Sequence, residues 1–238
     1  MLDKNLRNYW ENTQQPWGKL LYKIIRAQLN FSNLKILDFG SGFGITANYL
    51  AKNNEVTAIE PNINIVESAE RVRENNYTQI TGGLDKLKKQ ESGAFDAVVC
   101  HNVLEYVAEN ERAEILKEFA RILKNGGILS LIKHNKPGRI IDNIVFKNNL
   151  DEALEMLDGG ASASINFGAI NYYDPEDLRE YFKIEKILGI RTFFAWAPNE
   201  VKFDENWQNK IFELEIKVSD IDIYKNIAFL NHVMLKKI

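Results

Sequence analysis

The segment ILDFGSGFG, with Gly40, Gly42 and Gly44, constrains this chain more than any other stretch. It follows from KILDF, an apolar run of strand length, and opens onto ITANYLA, which reads as a helix. Glycine lets the backbone turn through left-handed conformations and approach a ligand with no Cβ in the way. A helix N-terminus beyond such a turn offers unpaired N–H groups and a positive dipole end. Asp38 closes the strand, and Ser41 sits between the first two glycines. Glu60 ends the next strand-like run, EVTAIE, twenty residues after Gly40, and Pro61 follows it. An acid at that distance accepts hydrogen bonds from both hydroxyls of a ribose. The spacing is GxGxG, not the GxGxxG of dinucleotide sites. That favours an adenosyl ligand with an amino-acid tail over one with a pyrophosphate. The plain alternative is a glycine-rich strand-to-helix turn, and the position of Glu60 argues against it.

The surrounding pattern extends this unit. NIVESAERVREN reads as a helix, YTQIT and FDAVVCH as strands, ERAEILKEFARILK as a helix stopped by Asn125-Gly126-Gly127, and ILSLIKH as a fifth strand. Strands alternating with helices predict βαβ units and a parallel sheet. Ahead of them, residues 1–32 form an N-terminal helical segment, in which Leu20, Leu21, Ile24, Ile25 and Leu29 recur at helical spacing. After His134 the rhythm breaks. Residues 136–172, with the small-residue run GGASAS, read as a lid-like insertion above the sheet. DPEDLREYF predicts a helix with Asp174 as N-cap and Pro175 in its first turn. KIEKILGIRTF and IAFLNHVMLKKI read as the last two strands, with the helix WQNKIFELEIKV between them. No repeat or low-complexity linker interrupts the chain, so one Rossmann-like α/β domain over 1–238 is expected.

A chain of 238 residues with 45% hydrophobic residues buries a core without a disulfide or metal staple. Its one cysteine, Cys100, sits in an apolar strand and reads as a packed small hydrophobe. His101, His134 and His232 are scattered, so no metal site is expected. The N-terminus lacks a signal-peptide core, and no apolar run approaches the roughly 18 residues of a membrane span, so a cytoplasmic location away from membranes is expected. A net charge of -3 argues against a chain-wide nucleic-acid surface and leaves room for a local basic patch.

These residues resemble the class I S-adenosylmethionine-dependent methyltransferase superfamily. ILDFGSGFG is similar to its first motif, AIEPN to its second, and FDAVVCHNVLEYV and LKNGGILSLI to two later ones, in the same order over residues 33–134. The resemblance implies S-adenosyl-L-methionine as cofactor. It also implies a seven-stranded, mostly parallel sheet with an antiparallel last strand and helices on both faces. In GGLDKL it implies that Asp85 holds the adenine amino group, with Leu84 against the ring. A narrower resemblance links the stretch from His101 to Phe146, and Gly189-Ile190-Arg191, to the bacterial tRNA 5-carboxymethoxyuridine methyltransferases, which esterify a carboxylate on a wobble uridine. The chain departs from them at Lys133-His134, where an aromatic pair is expected, and at PWGKLLYKII. Those departures bear on the acceptor and not on the cofactor.

The remaining candidates follow from position. His101 ends the fourth strand at the ligand-binding edge and lines the methionine part of the cofactor, or is a strand-end histidine bonded to backbone. Lys19 is a point charge for the cofactor carboxylate, or ordinary surface. Tyr106 faces the transferring methyl, or packs. Arg191 grips an acceptor carboxylate through a two-pronged fork, or pairs with a protein acid. Asn135 and Arg139 are weaker candidates of the same kind, and the cluster Lys86, Lys88, Lys89 reads as a solvated face. Methyl transfer from a sulfonium is a direct displacement and needs no base when the nucleophile is a carboxylate, so no catalytic residue is assigned. The expected acceptors are a tRNA carboxylate or, alternatively, the oxygen or nitrogen of a small metabolite such as a small carboxylate or phenol. The sequence does not give an oligomeric state.

Overall fold

The structure is a computed structural model and describes residues 3–160, 162–164 and 168–238. In chain order, helices α1 (Lys4–Gln14) and α2 (Pro16–Gln28) precede β1 (Lys35–Phe39), α3 (Ile45–Leu50), β2 (Glu55–Glu60), α4 (Ile63–Arg71), β3 (Thr78–Thr81), α5 (Leu84–Leu87) and β4 (Phe95–His101). Then come α6 (Glu109–Ile122), β5 (Leu123–His134), α7 (Lys136–Val145), α8 (Leu150–Leu157), β6 (Ser162–Ser164), β7 (Gly168–Ile170), β8 (Phe182–Ile190), α9 (Glu205–Val218), α10 (Asp222–Lys225) and β9 (Leu230–Lys237).

Seven strands form one sheet in the order β3-β2-β1-β4-β5-β9-β8. β9 runs antiparallel to both of its neighbours, and the other pairings are parallel. β8 therefore points the same way as β1–β5, and its carboxyl end reaches the same edge. The central strands are buried on both faces because helices cover both. On one face Leu37, Val98, Cys100, Leu129, Leu131 and Val233 pack with Ile115 and Phe119 of α6. On the other, Ile36, Ala58, Ala97, Val99 and Ile132 pack with Leu20, Ile24 and Ile25 of α2. Pro16 starts α2, and its apolar residues return every three or four positions. Fully burying one such side chain, as at Ile24, contributes about 1.5–3 kcal/mol.

Three local expectations need correction or refinement. The polar start of the chain forms its own helix, α1, capped by Asp3, whose side chain accepts from Leu6 N–H. DPEDLREYF forms only a 3-10 turn, Pro175–Leu178, although Asp174 and Asp177 make the capping box. The ladder with β9 takes the chain from Phe182 onward and leaves room for a single turn. The segment 136–172 holds two helices and the antiparallel hairpin β6–β7. GGASAS lies partly in β6, with Ala161 outside the described residues. No described helix is long and apolar enough to cross a membrane.

Candidate active site

The loop after β1 is tied to β2, since Gly40 N–H and Ser41 N–H both donate to Ile59 O, at 2.8 and 3.1 Å. Gly40, Gly42 and Gly44 all take left-handed φ, +71°, +54° and +70°. Their needs differ. A Cβ on Gly40 would overlap the Val103 side chain, and one on Gly44 would overlap the Tyr77 hydroxyl. A Cβ on Gly42 would meet nothing nearer than the Tyr9 hydroxyl, at 3.4 Å. Gly40 and Gly44 thus serve the protein's own packing, and Gly42 leaves a surface open to a ligand.

Glu60 is 7% exposed and holds this loop. Its Oε2 accepts Gly42 N–H at 2.9 Å, and its Oε1 accepts Asn62 N–H at 3.0 Å. Burial pushes its carboxyl pKa up, while the two backbone bonds pull it down. Each oxygen keeps a second lone pair for a ribose hydroxyl. Asp38, 3% exposed, is pushed up to about 7 by burial and then by the charge of Glu60. Asp38 Oδ2, Ser41 Oγ and Asn102 Oδ1 are buried without hydrogen-bond partners among the described residues. Buried polar atoms need partners. Orphaned acceptors beside an open glycine loop fit a ligand rich in hydroxyl and ammonium donors.

The first helix completes this half of the site, which sequence patterning did not foresee. Tyr9 and Trp10 of α1 pack on Phe43, with centroids 5.2 and 5.0 Å apart. The Tyr9 hydroxyl meets that of Tyr22; this neighbour and burial, with smaller contributions from the charges of Glu60 and Asp38, raise its pKa well above the ordinary value. Lys19 lies instead on the exposed face of α2, and its side chain makes no hydrogen bond or ion pair with a described residue. Pro61 is exposed. Leu84 packs at the margin of the core, and Asp85, exposed, accepts Gly83 N–H at 3.1 Å and pairs with Lys86 at 3.6 Å. The first of these bonds holds its carboxyl below the usual range.

Farther along the edge the character changes. Arg191 follows β8 with φ +62°, a left-handed conformation that costs a non-glycine residue energy. Glu215 of α9, fully buried, imposes it: its two carboxylate oxygens accept the N–H groups of Thr192, Phe193 and Phe194, each at 2.8 Å. The Arg191 guanidinium lies 4.4 Å from the Phe229 ring and 5.1 Å from the Phe194 ring. Burial lowers its pKa to about 10, against the pull of Asp142 and Glu215. Arg139 of α7 sits 5.5 Å from Phe229 and donates to Ala163 O. Lys202, 4% exposed, stands 5.0 Å from Phe146 and 5.8 Å from Phe194, and burial lowers its pKa to about 8. None of these three cations makes an ion pair with a described residue. The nearby Asp142 is bridged to Lys147 at 3.3 Å. Lys202 and the aromatic walls were not foreseen, because nothing in the local sequence of EVKF marks them.

The other candidates have structural partners. Tyr106 Oη meets His134 Nε2 at 3.1 Å. Burial, followed by the charges of Arg139 and Arg191, lowers the His134 pKa to about 3. Asn135 donates both amide protons, to Asn226 O and Ala228 O at 2.9 and 2.8 Å, and ties β5 to the approach to β9. Both of its amide donors are therefore engaged by backbone carbonyls. Glu105, 1% exposed and raised to about 7 mainly by burial, accepts His134 N–H.

Known proteins extend this picture. A family model described as a methyltransferase domain matches residues 37–131. The chain is 30% identical over 142 residues to a ubiquinone biosynthesis O-methyltransferase of Xanthomonas oryzae pv. oryzae, and that match spans 55% of this chain and 58% of the relative. It is 35% identical over 205 residues to the protein of the same name from Rickettsia canadensis, covering 81% of this chain and 80% of that one. The chain belongs to the class I S-adenosylmethionine-dependent methyltransferases. The tRNA 5-carboxymethoxyuridine methyltransferase of Escherichia coli is 26% identical over 226 residues, spanning 90% of this methyltransferase and 84% of the relative. In fold, it is similar to a putative S-adenosylmethionine-dependent methyltransferase of Listeria monocytogenes, with TM-score 0.60, 16% identity and coverage of 91% and 96% of the two chains.

When bound, the cofactor supplies a methyl group already activated on a sulfonium. The loop from Gly40 to Gly44, with Glu60, Asp38 and Ser41, groups the residues that would hold the nucleoside and tail, with Tyr9 and Trp10 packed beside it on Phe43. Positioning of this kind is the main lever on a direct displacement.

Proposed function

We propose that this methyltransferase esterifies an anionic acceptor, with a carboxylate on a tRNA wobble uridine as the leading case. The carrying observation is Arg191: a half-buried arginine, held in a strained turn by Glu215, stacked between Phe194 and Phe229, and without an acid in ion-pair contact among the described residues. Burying a cation without an opposite charge is costly, and a substrate anion offsets that cost. Arg139 and Lys202 add to the same field, and the aromatic rings suit a stacked base. Segment 136–172 supplies Arg139 and Phe146, and in this reading it closes over the acceptor. A carboxylate nucleophile needs no base, which agrees with the weak basicity of His134, whose pKa burial lowers to about 3.

The relatives named for ubiquinone biosynthesis favour a second reading, O-methylation of a phenol, for which the cation cluster has no evident use. Arg191 separates the two. With a carboxyl-bearing uridine oligonucleotide as acceptor, Arg191→Ala is expected to lower kcat/KM by roughly 100-fold, about 2.7 kcal/mol, with cofactor affinity unchanged. Arg191→Lys keeps the charge but not the fork, and is expected to fall between the two. Full activity of the alanine variant on a phenol, with no transfer to the carboxylate by any form, selects the second reading.

A further inference from the structure

A chain of buried polar groups runs from the end of α2 to the end of β4. Gln28 Nε2 donates to Gly189 O at 3.1 Å. A carbonyl can only accept, so this contact orients the amide and turns Gln28 Oε1 to His232 Nδ1, at 2.9 Å. His232 therefore carries its proton on Nδ1, and its bare Nε2 accepts the Ser130 hydroxyl at 2.7 Å. Ser130 has no second proton to give. Its contact with His101 Nε2, at 3.0 Å, has His101 as the donor. His101 is thereby left with a bare Nδ1. That nitrogen is buried and has no hydrogen-bond partner among the described residues. Burial also keeps both imidazoles neutral, with His101 well below the ordinary pKa and His232 lowered to about 3.

The bare nitrogen lies next to the cofactor half of the site. Asp38 is in register with Val99, two residues before His101, so Asp38 and His101 share one face at adjacent strand ends. β4 stops at His101, because Asn102 turns with φ +55° and Val103 then packs on Gly40.

We propose that Gln28, His232 and Ser130 act as positioning residues that hold His101 in its Nε2–H tautomer, so that its Nδ1 lone pair accepts a hydrogen bond from the ammonium of the cofactor's amino-acid tail. The inference rests on the carboxylate reading: an ionised carboxylate brings no proton, so the ammonium is the remaining ligand donor beside His101.

The test compares two ligands, S-adenosylhomocysteine and 5′-methylthioadenosine. The second keeps the nucleoside and thioether and lacks the tail. His101→Leu is expected to weaken S-adenosylhomocysteine roughly ten-fold or more and to change methylthioadenosine less than about two-fold. Retained methylthioadenosine binding also shows that the variant has folded. His101→Asn, whose Oδ1 stands close to where Nδ1 stood, is expected to recover most of the loss. Ser130→Ala removes the relay's link, so the ¹⁵N signals of His101 are expected to move from the Nε2–H pattern toward a tautomer average, with an intermediate loss of affinity. Equal weakening of both ligands in His101→Leu would assign His101 to packing and overturn the proposal. So would unchanged affinity for both. The carboxylate reading is tested separately by the lability of the methylated product to mild base, so the two failures are distinct.

Discussion

At the β1 end of the sheet's carboxyl edge the buried ionisable groups are acids, Asp38 and Glu60, and burial raises both. At the β8 end burial lowers two bases, Arg191 and Lys202, while the buried acids there are already engaged, Glu215 by three backbone N–H groups and Asp142 by Lys147. The groups left to meet a ligand are therefore acids in the first half and bases in the second, and each set suits a ligand of the opposite character. In the proposed reading the acids meet the ammonium and hydroxyls of the cofactor, and the bases meet the anion. The halves also differ in how they are built. The first is centred on one contiguous loop and the strand beside it, with α1 packed against it, whereas the second is assembled from α7, α9 and the turn after β8.

The strongest way to break this division is at Glu215. Its removal leaves three buried N–H groups without an acceptor and frees the Arg191 turn. Glu215→Ala is expected to cost about 3–5 kcal/mol in chemical denaturation, with acceptor turnover lost before cofactor binding in the surviving fold. A variant as stable as the parent would show that the turn stands without Glu215.

The glycine loop gives a smaller and sharper contrast. Gly44→Ala adds an overlap with Tyr77 to the strain of positive φ and is expected to lower stability by about 2–3 kcal/mol. Gly42→Ala meets no such overlap, so about 1 kcal/mol is expected from strain alone, with a larger fall in cofactor affinity than in stability. Equal effects in the two variants would mean that Gly42 faces no ligand.

The smallest expected effect is a dependence on pH. Asp38 binds its proton more tightly folded than unfolded, so in the free protein its contribution favours folding at low pH and is lost as pH rises from about 4 to about 7. The ionised form is the one that meets an ammonium. S-adenosylhomocysteine affinity is therefore expected to rise about ten-fold between pH 6 and pH 8, and Asp38→Asn is expected to flatten that rise. A wild-type profile with no inflection near pH 7 would place the ammonium elsewhere.

The cofactor half was legible because its parts are local. A strand, three glycines and an acid one βαβ unit later stand at spacings that the backbone fixes. Arg191 was legible only through the resemblance of Gly189-Ile190-Arg191, and the residues that give it meaning were not. Glu215 lies 24 positions onward, in a stretch that reads simply as a helix. Lys202 sits in a 3-10 turn with no periodicity. Tyr9 belongs to a polar stretch that joins an apolar cluster with Phe43, Ile45 and Ile65 after folding. The partners of Asn135 were hidden for a related reason: a polar residue at a strand end reads as a ligand contact, and only the path of residues 226–228 shows where its amide donors go.

The position of β9 bears on how the molecule assembles. β9 follows β8 in the chain but lies between β5 and β8, and among the described residues β9 is the only strand with which β8 pairs. β8, and with it the Arg191 turn, can join the sheet only after the chain has gone on through α9 and come back to lay β9 against β5. Closing so long a loop before its contacts form is slow. The glycine loop is tied to Ile59 and Glu60, about twenty residues onward, and needs no such return of the chain. In refolding, recovery of cofactor binding should therefore precede recovery of acceptor turnover, with an interval in which the protein holds its cofactor but has no place to put the acceptor.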